Sequence, residues 1–186
     1  MPFNTKDGRI SASDVDECLY AVAQDDVDAL SRLYDLTGGA IYAYALSITK
    51  NAYDAEDVTH DVYVKAYENA HSYVSQGKPM AWLMTIAKNL CYTRFRKQAR
   101  IADVTDEDLE KQFDADPRLD AEDRIVVNAC LSRLSDSERQ IVIMHSMTGL
   151  KHRDIARILE LPLATVISKY NRAIKKLQRI FGKGDL

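Results

Sequence analysis

The sequence predicts an all-α protein of two small helical domains joined by an acidic linker. Three observations predict it. Apolar residues recur at helical spacing along most of the chain. Seven glycines and four prolines in 186 residues are too few for a turn-rich β fold. Charge is blocked rather than mixed: residues 1–87 carry 13 acids and 6 bases, and 88–102 carry five bases and no acid. Residues 103–123 carry ten acids and two bases, and 124–186 twelve bases and five acids. The net charge of −3 conceals this alternation. Two basic blocks around an acidic one predict two polyanion-binding surfaces.

The elements follow in order. Ser13 caps a first helix that runs to about Gln24. Asp25 or Asp26 opens a second, to about Asp35. A third spans Gly39 to Thr49, with Ile41, Ala45 and Ile48 on one face. A fourth runs from about Ala52 to His71. Tyr73 to Lys78 is a loop, broken by Gly77 and Pro79. A fifth helix starts at Pro79, tolerated in a first turn, and runs to about Lys97. Residues 103–123 have no sustained apolar period, and Pro117 interrupts any helix there. The expected organisation is an N-terminal extension (1–12), a first domain (13–101), an acidic linker (102–123) and a second domain (124–186). In the second domain Ile125 to Leu134 is helical. Ser135 and Glu138 have capping-box spacing and open a helix to about Met147, ended by Thr148-Gly149. Lys151 to Glu160 is a short helix with Ile155, Ile158 and Leu159 inward. Leu161-Pro162 turns into a last helix that reaches about Phe181.

Composition excludes several classes. At 46% apolar and 28% charged residues this is an ordinary soluble domain, not a disordered tail. No apolar run approaches the roughly 20 residues needed to cross a bilayer, so no membrane insertion is expected. Met1 to Ser13 lacks the basic-then-apolar pattern of a secretory signal. Cys18, Cys91 and Cys130 are odd in number and far apart, which predicts reduced thiols in the cytoplasm. There is no HExxH, no Gly-rich phosphate loop and no CxxC pair, so no catalytic set, metal or cofactor is expected. His60-Asp61 is a pair that binds metal in some phosphohydrolases, but no second histidine cluster supports it. His145 and His152 read as structural or solvent-facing.

Three constellations remain. On the helix after Tyr53, Val58, Val62, Ala66 and Ala70 form an apolar stripe. Asp54, Asp57, Asp61 and Glu68 fall on another face. Asp54 and Asp57 also suit the positive helix N-terminus, but Asp61 and Glu68 lie too far along for that. A carboxylate row of this kind can dock a basic partner helix. On the helix after Pro79, Leu83, Ile86, Ala87 and Leu90 make the buried stripe, with Trp82 read as core. Thr85, Asn89, Tyr92, Arg96 and Arg100 line up opposite. Amide, phenol and guanidiniums together offer hydrogen bonds, stacking and phosphate contacts for an unpaired nucleic-acid strand. The third constellation is the helix–turn–helix at the C-terminal end. Val166, Tyr170, Ile174 and Leu177 face inward, and Thr165, Ser168, Lys169, Arg172 and Lys176 outward. Hydroxyls and long cations on the first turns of a helix suit major-groove readout.

In this order the constellations resemble the bacterial sigma-70 family, in particular its small extracytoplasmic-function (ECF) group. Asp54-Ala-Glu-Asp-Val-Thr-His-Asp-Val-Tyr-Val-Lys-Ala-Tyr looks like the family's region two helix. Ala81-Trp-Leu-Met-Thr-Ile-Ala-Lys-Asn-Leu looks like the promoter-melting helix that follows. Arg153-Asp-Ile-Ala-Arg-Ile-Leu-Glu-Leu-Pro, Thr165-Val and Arg172-Ala-Ile-Lys-Lys-Leu look like region four. The likeness covers about residues 25–101 and 124–181. It implies a sigma region 2 bundle and a region 4 helix–turn–helix. It also implies that Asp54, Glu56, Asp57 and Asp61 meet the β′ clamp helices of core RNA polymerase, with the β subunit as a further contact. Asn89 matches the position lining a pocket for a flipped base of the −10 element, and Ser75, Gln76, Gly77 and Lys78 help to form that pocket. Thr85, Lys88, Tyr92 and Arg96 complete this single-strand surface. Thr165, Ser168, Lys169, Arg172 and Lys176 would read the −35 element. The linker would thread polymerase channels that otherwise hold nucleic acid. An anti-sigma factor is the expected regulatory partner, and promoter DNA the expected ligand.

Some positions depart from the family. Its recognition helix usually reads Gly-Thr-Val-Lys-Ser-Arg; here Ala164-Thr-Val-Ile-Ser-Lys169 places apolar Ile167 where a cation is common. The Asp often found after the Asn-Leu pair is absent. Two rival readings are a sigma-like decoy or helix–turn–helix regulator that does not bind polymerase, and a metal phosphohydrolase built on His60-Asp61. The acidic face together with Asn89 argues against a decoy.

Overall fold

The computed structural model describes residues 10–101, 128 and 132–181. The acidic linker and most of the expected helix Ile125–Leu134 lie outside the described residues, as does the side chain of Arg100. No strand occurs among the described residues.

Helix α1 spans Ala12–Val22. Its cap is Ser11, whose Oγ accepts from the Asp14 N–H, rather than the expected Ser13. The earlier start gives the helix one buried face of Val15, Cys18, Leu19 and Val22. Helix α2 spans Val27–Thr49 without interruption, capped by Asp26. Two helices were expected here, divided near Gly38-Gly39. The pair costs helix propensity, about 1 kcal/mol per glycine. Burial of Leu33, Thr37, Ala40, Ile41, Tyr44 and Ala45 along one continuous face outweighs that cost. Thr37 Oγ1 donates to the Leu33 carbonyl at 2.7 Å and shares a 2.7 Å hydrogen bond with the Tyr63 hydroxyl, tying the midpoint of α2 to α3.

Helix α3 spans Ala52–Asn69, capped by Asn51, and a 3₁₀ turn at Ala70–Ser72 ends it close to the expected point. Its stripe of Val58, Val62, Ala66 and the following Ala70 is buried as expected. Helix α4 spans Pro79–Ile101. Helix α5, Asp136–Thr148, opens on a complete capping box between Ser135 and Glu138. It ends at Gly149, whose φ of 70° suits a residue without Cβ. Helix α6 spans His152–Leu159 and ends on Glu160. Helix α7 spans Leu163–Phe181.

Helix α2 is the hub, packing against α1, α3, α4 and α5. Helix α4 also meets α6, and α5 and α6 both support α7. One core runs from Val15, Leu33, Ile41, Leu83 and Met84 into Ile141, Met144, Ile155 and Val166. The helices on either side of the linker therefore share an interior. Each fully buried Leu or Ile contributes about 1.5–3 kcal/mol to holding it together.

Candidate nucleic-acid and polymerase surfaces

Five of the nine expected single-strand residues, Gln76, Lys78, Thr85, Lys88 and Asn89, line a cleft of about 530 Å³ whose facing wall is the Asp154–Glu160 end of α6. The loop after the 3₁₀ turn supplies Gln76 and Lys78, and α4 supplies Trp82, Thr85, Lys88 and Asn89. Helical geometry explains the α4 set: positions 82, 85 and 89 repeat every three or four residues, so they share one face. Thr85 and Asn89 are exposed. Trp82 packs partly into the core and also walls the cleft, its ring 5.0 Å from that of Tyr73. Its expected role as core is therefore half of the observed one. Tyr92 and Arg96 continue the exposed face toward the C-terminal end of α4. Lys88 Nζ lies 6.0 Å from the Tyr92 ring centroid.

Asp16 of α1 holds the loop in shape, a role not foreseen from the sequence. The Tyr73 hydroxyl donates to Asp16 Oδ1 at 2.5 Å, and Ser75 Oγ donates to Oδ2 at 2.8 Å. The Gly77 N–H in turn donates to Ser75 Oγ. Gly77 has φ 69°, a conformation glycine adopts without penalty because it has no Cβ. Burial and the Asp16 carboxylate push the Tyr73 phenol above its ordinary range, so it remains a donor. Ser75 thus braces the loop from behind, while Gln76 and Lys78 face the cleft.

The acidic face of α3 is present, and part of it is engaged. Arg94 of α4 donates from Nε and Nη2 to Asp54 Oδ1, at 3.0 and 2.7 Å, and from Nη2 to Asp57 Oδ2 at 2.8 Å. Those bonds, the one to Asp57 foremost, hold the guanidinium more firmly protonated. Glu56 and Asp61 are exposed. Sequence spacing could not place Arg94, since it sits 40 residues from Asp54.

On α7 the outward set differs from the expected one. Ser168 and Arg172 are exposed and Thr165 is half-buried. Lys169 and Lys176 are partly exposed, and each ammonium is bonded back to α5. Lys169 Nζ donates to Ser137 Oγ at 2.7 Å, and Lys176 Nζ to Glu138 Oε2 at 2.7 Å. Glu138 is 2% exposed, and a buried carboxylate draws in the nearest ammonium. Burial alone would raise its pKa. The Lys176 ammonium and the Ser135 N–H and hydroxyl outweigh that and hold it down to about 2. Ala164, Ile167, Ser168, Asn171, Arg172 and Lys175 line the outer groove instead. Asn171 and Lys175 were missed, although the steps from 164 to 168, 171 and 175 trace one helical face. Ile167 lies on that face, 39% exposed.

His145 and His152 stack with ring centroids 4.6 Å apart, both against Tyr170. His145 Nδ1 donates to the Leu150 carbonyl, bracing the turn between α5 and α6. His60 lies beside the Tyr34 ring. Among the described residues no three His, Cys, Asp or Glu side chains form a group able to hold a metal ion. No helix among them is long and apolar enough to cross a membrane.

The arrangement is a helical bundle with a strand-sized cleft, followed by a helix–turn–helix with a polar and basic outer face. Known proteins share it. The sequence profile of Sigma-70 region 2 matches residues 33–101, and that of Sigma-70, region 4 matches residues 124–177. An ECF RNA polymerase sigma factor SigK from Mycobacterium sp. (strain KMS) is 30% identical over 179 residues, covering 91% of this chain and 92% of that protein. SigK of Mycobacterium ulcerans (strain Agy99) is 26% identical over 90% of this chain and 93% of its own. Among solved structures, the sigma factor RpoE in complex with the anti-sigma factor NepR from Bartonella quintana aligns with a TM-score of 0.67 at 27% identity. That match covers 86% of this chain and all of that one. CnrH in complex with the cytosolic domain of CnrY shares the fold, with a TM-score of 0.58 at 22% identity over 92% of this chain and 99% of that one. The chain belongs to the ECF group of RNA polymerase sigma factors.

Proposed function

We propose that this sigma factor divides its work among the three surfaces described above. Residues 13–101 form the domain that binds core polymerase and the −10 strand, 102–123 the connecting linker, and 124–186 the domain for the −35 duplex. Asp54, Glu56, Asp57 and Asp61 dock the β′ clamp helices, with the β subunit as a second contact. Arg94 orients Asp54 and Asp57 and leaves Asp61 and Glu56 as the open charges. The cleft takes an unpaired strand. Lys78 and Lys88 meet phosphates, Asn89 and Gln76 offer amides to a flipped base, and Trp82 and Tyr92 offer ring faces. On α7, Ser168, Arg172, Asn171 and Lys175 face the major groove, where Ile167 suits a thymine methyl. Lys169 and Lys176 serve the stability of the domain. The chain contributes addressing and strand capture, and the polymerase contributes the phosphodiester chemistry.

One observation carries this reading: Gln76, Lys78, Thr85, Lys88 and Asn89 converge with Trp82 in a single cleft. The relatives of known structure carry anti-sigma factors, and we expect one here, acting in the cytoplasm. Run-off transcription with purified core polymerase on a fragmented genomic library tests the assignment. Specific starts should depend on the protein. Asn89→Ala should lower strand opening, read by permanganate reactivity of unpaired thymines, while core binding persists. Equal opening by wild type and variant would remove Asn89 from the site.

A further inference from the structure

One wall of the cleft is the end of α6, and that wall engages both of the cleft's lysines. Lys78 Nζ donates to Asp154 Oδ1 at 2.6 Å, and the Asp154 side chain is 6% exposed. Lys88 Nζ pairs with Glu160. Arg157 and Ile158 fill the wall between those two pairs. Both ammonium groups on the cleft are thus neutralised by carboxylates six residues apart on one short element. A third pair, Lys50 to Asp136 at 3.3 Å, ties α2 to α5 beside them.

Glu160 stands at an unusual place for a charged residue. It terminates α6 with φ 55° and ψ 41°, a left-handed conformation that glycine adopts without strain. Here that position instead carries a carboxylate, aimed at Lys88. The outer face of α7, by contrast, is open, since Ile167, Ser168 and Arg172 are all exposed.

We propose that the cleft has a second, intramolecular ligand, the Asp154–Glu160 edge of the helix–turn–helix, which competes with the DNA strand for Lys78 and Lys88. This rests on the reading of the cleft as the strand site. A lysine ammonium that holds a carboxylate cannot also hold a phosphate in the same place. A strand entering would bring its charge against Asp154 and Glu160 and is refused until that edge leaves. In the docked form the −35 face stays available while the −10 surface is masked. The same chain can therefore engage duplex DNA first and expose its strand cleft only when the second module moves away. Strand affinity is reduced by the fraction of molecules that are undocked.

Zero-length carbodiimide cross-linking of the full chain, read by mass spectrometry, tests this directly. Lys78–Asp154 and Lys88–Glu160 amides should form in the free protein and fall away when a labelled 20-nucleotide single strand of random sequence is added to saturation. The Lys65–Glu68 pair, 2.7 Å apart on α3, is the control and should be unaffected. The double variant Asp154→Asn, Glu160→Gly should bind the same strand about tenfold tighter than wild type. Glycine suits the backbone at 160, and far-UV circular dichroism checks that the helices remain. Persistent cross-links at saturation, or equal affinities, would overturn the competition and leave the cleft assignment intact. Strand binding insensitive to Lys88→Ala would overturn both.

Discussion

Glu138 shows how one side chain can serve two purposes. Its carboxylate completes the capping box of α5 by accepting from the Ser135 N–H at 2.9 Å, and it also anchors Lys176 of α7. Its pKa in the fold, about 2, lies below the ordinary 4.5, so the unfolded chain binds the proton more readily. The stabilisation is full above about pH 4.5 and is lost as pH falls toward 2. Urea midpoints followed down this range should fall steeply for wild type and more gently for Glu138→Gln. His152 acts in a different window. Burial, and then the neighbouring His145, lower its pKa from 6.5, so the unfolded chain again takes up the proton first. Its contribution is complete above about pH 6.5 and declines below it. His152→Gln should remove the part of the acid sensitivity that sets in just below neutrality. A third residue makes the opposite case. The Tyr44 hydroxyl is fully buried and has no hydrogen-bond partner among the described residues. Tyr44→Phe should stabilise the protein by about 1 kcal/mol, measured as a rise in melting temperature.

Among the elements, α2 carries the most consequence for its length. It runs straight through Gly38-Gly39 because four other helices pack on it. A Cβ at Gly38 would meet only the Tyr34 ring, at 3.5 Å, an ordinary contact. Gly38→Ala should therefore stabilise the protein by about 0.5–1 kcal/mol, seen as a higher urea midpoint. A lower midpoint would show that the Tyr34 ring cannot accommodate the methyl. Helix α7 shows why an outward face cannot be read from spacing alone. Lys169 and Lys176 have the right period and stay partly exposed, but Ser137 and Glu138 on α5 hold their ammonium groups. Replacing Arg172 and Lys175 with alanine should weaken duplex binding and flatten its log–log salt dependence by about one unit per lost phosphate contact. Lys176→Ala should instead lower the melting temperature. The two outcomes separate groove contact from internal support.

At the level of the molecule, the acidic face and the cleft lie on α3 and α4, which pack against each other, with Arg94 bridging them. Asp57→Arg combined with Asp61→Arg should abolish co-elution with core polymerase while the circular dichroism spectrum is retained. Unchanged co-elution would dismiss the clamp assignment. The C-terminal helices pack on the same bundle through α5 on α2 and α6 on α4. Charge blocks that read as two independent basic modules are in fact set against each other, and some of those bases are spent on internal carboxylates.

Local pattern was enough for the helical class, the Ser135 cap, the buried stripe of α3, the Leu83 and Ala87 half of that of α4 (Ile86 and Leu90 are only partly buried, and Met84 and Cys91 are buried instead) and the row of Thr85, Asn89 and Tyr92. Each follows from neighbours within four residues, where helical periodicity links position to face. The unbroken α2, the bracing of the loop by Asp16, the turning of Lys169 and Lys176, and the contact of Asp154 and Glu160 with the cleft were decided only in three dimensions. Each depends on charges and apolar surfaces 20 or more residues apart in the chain, brought together by burial of the shared core.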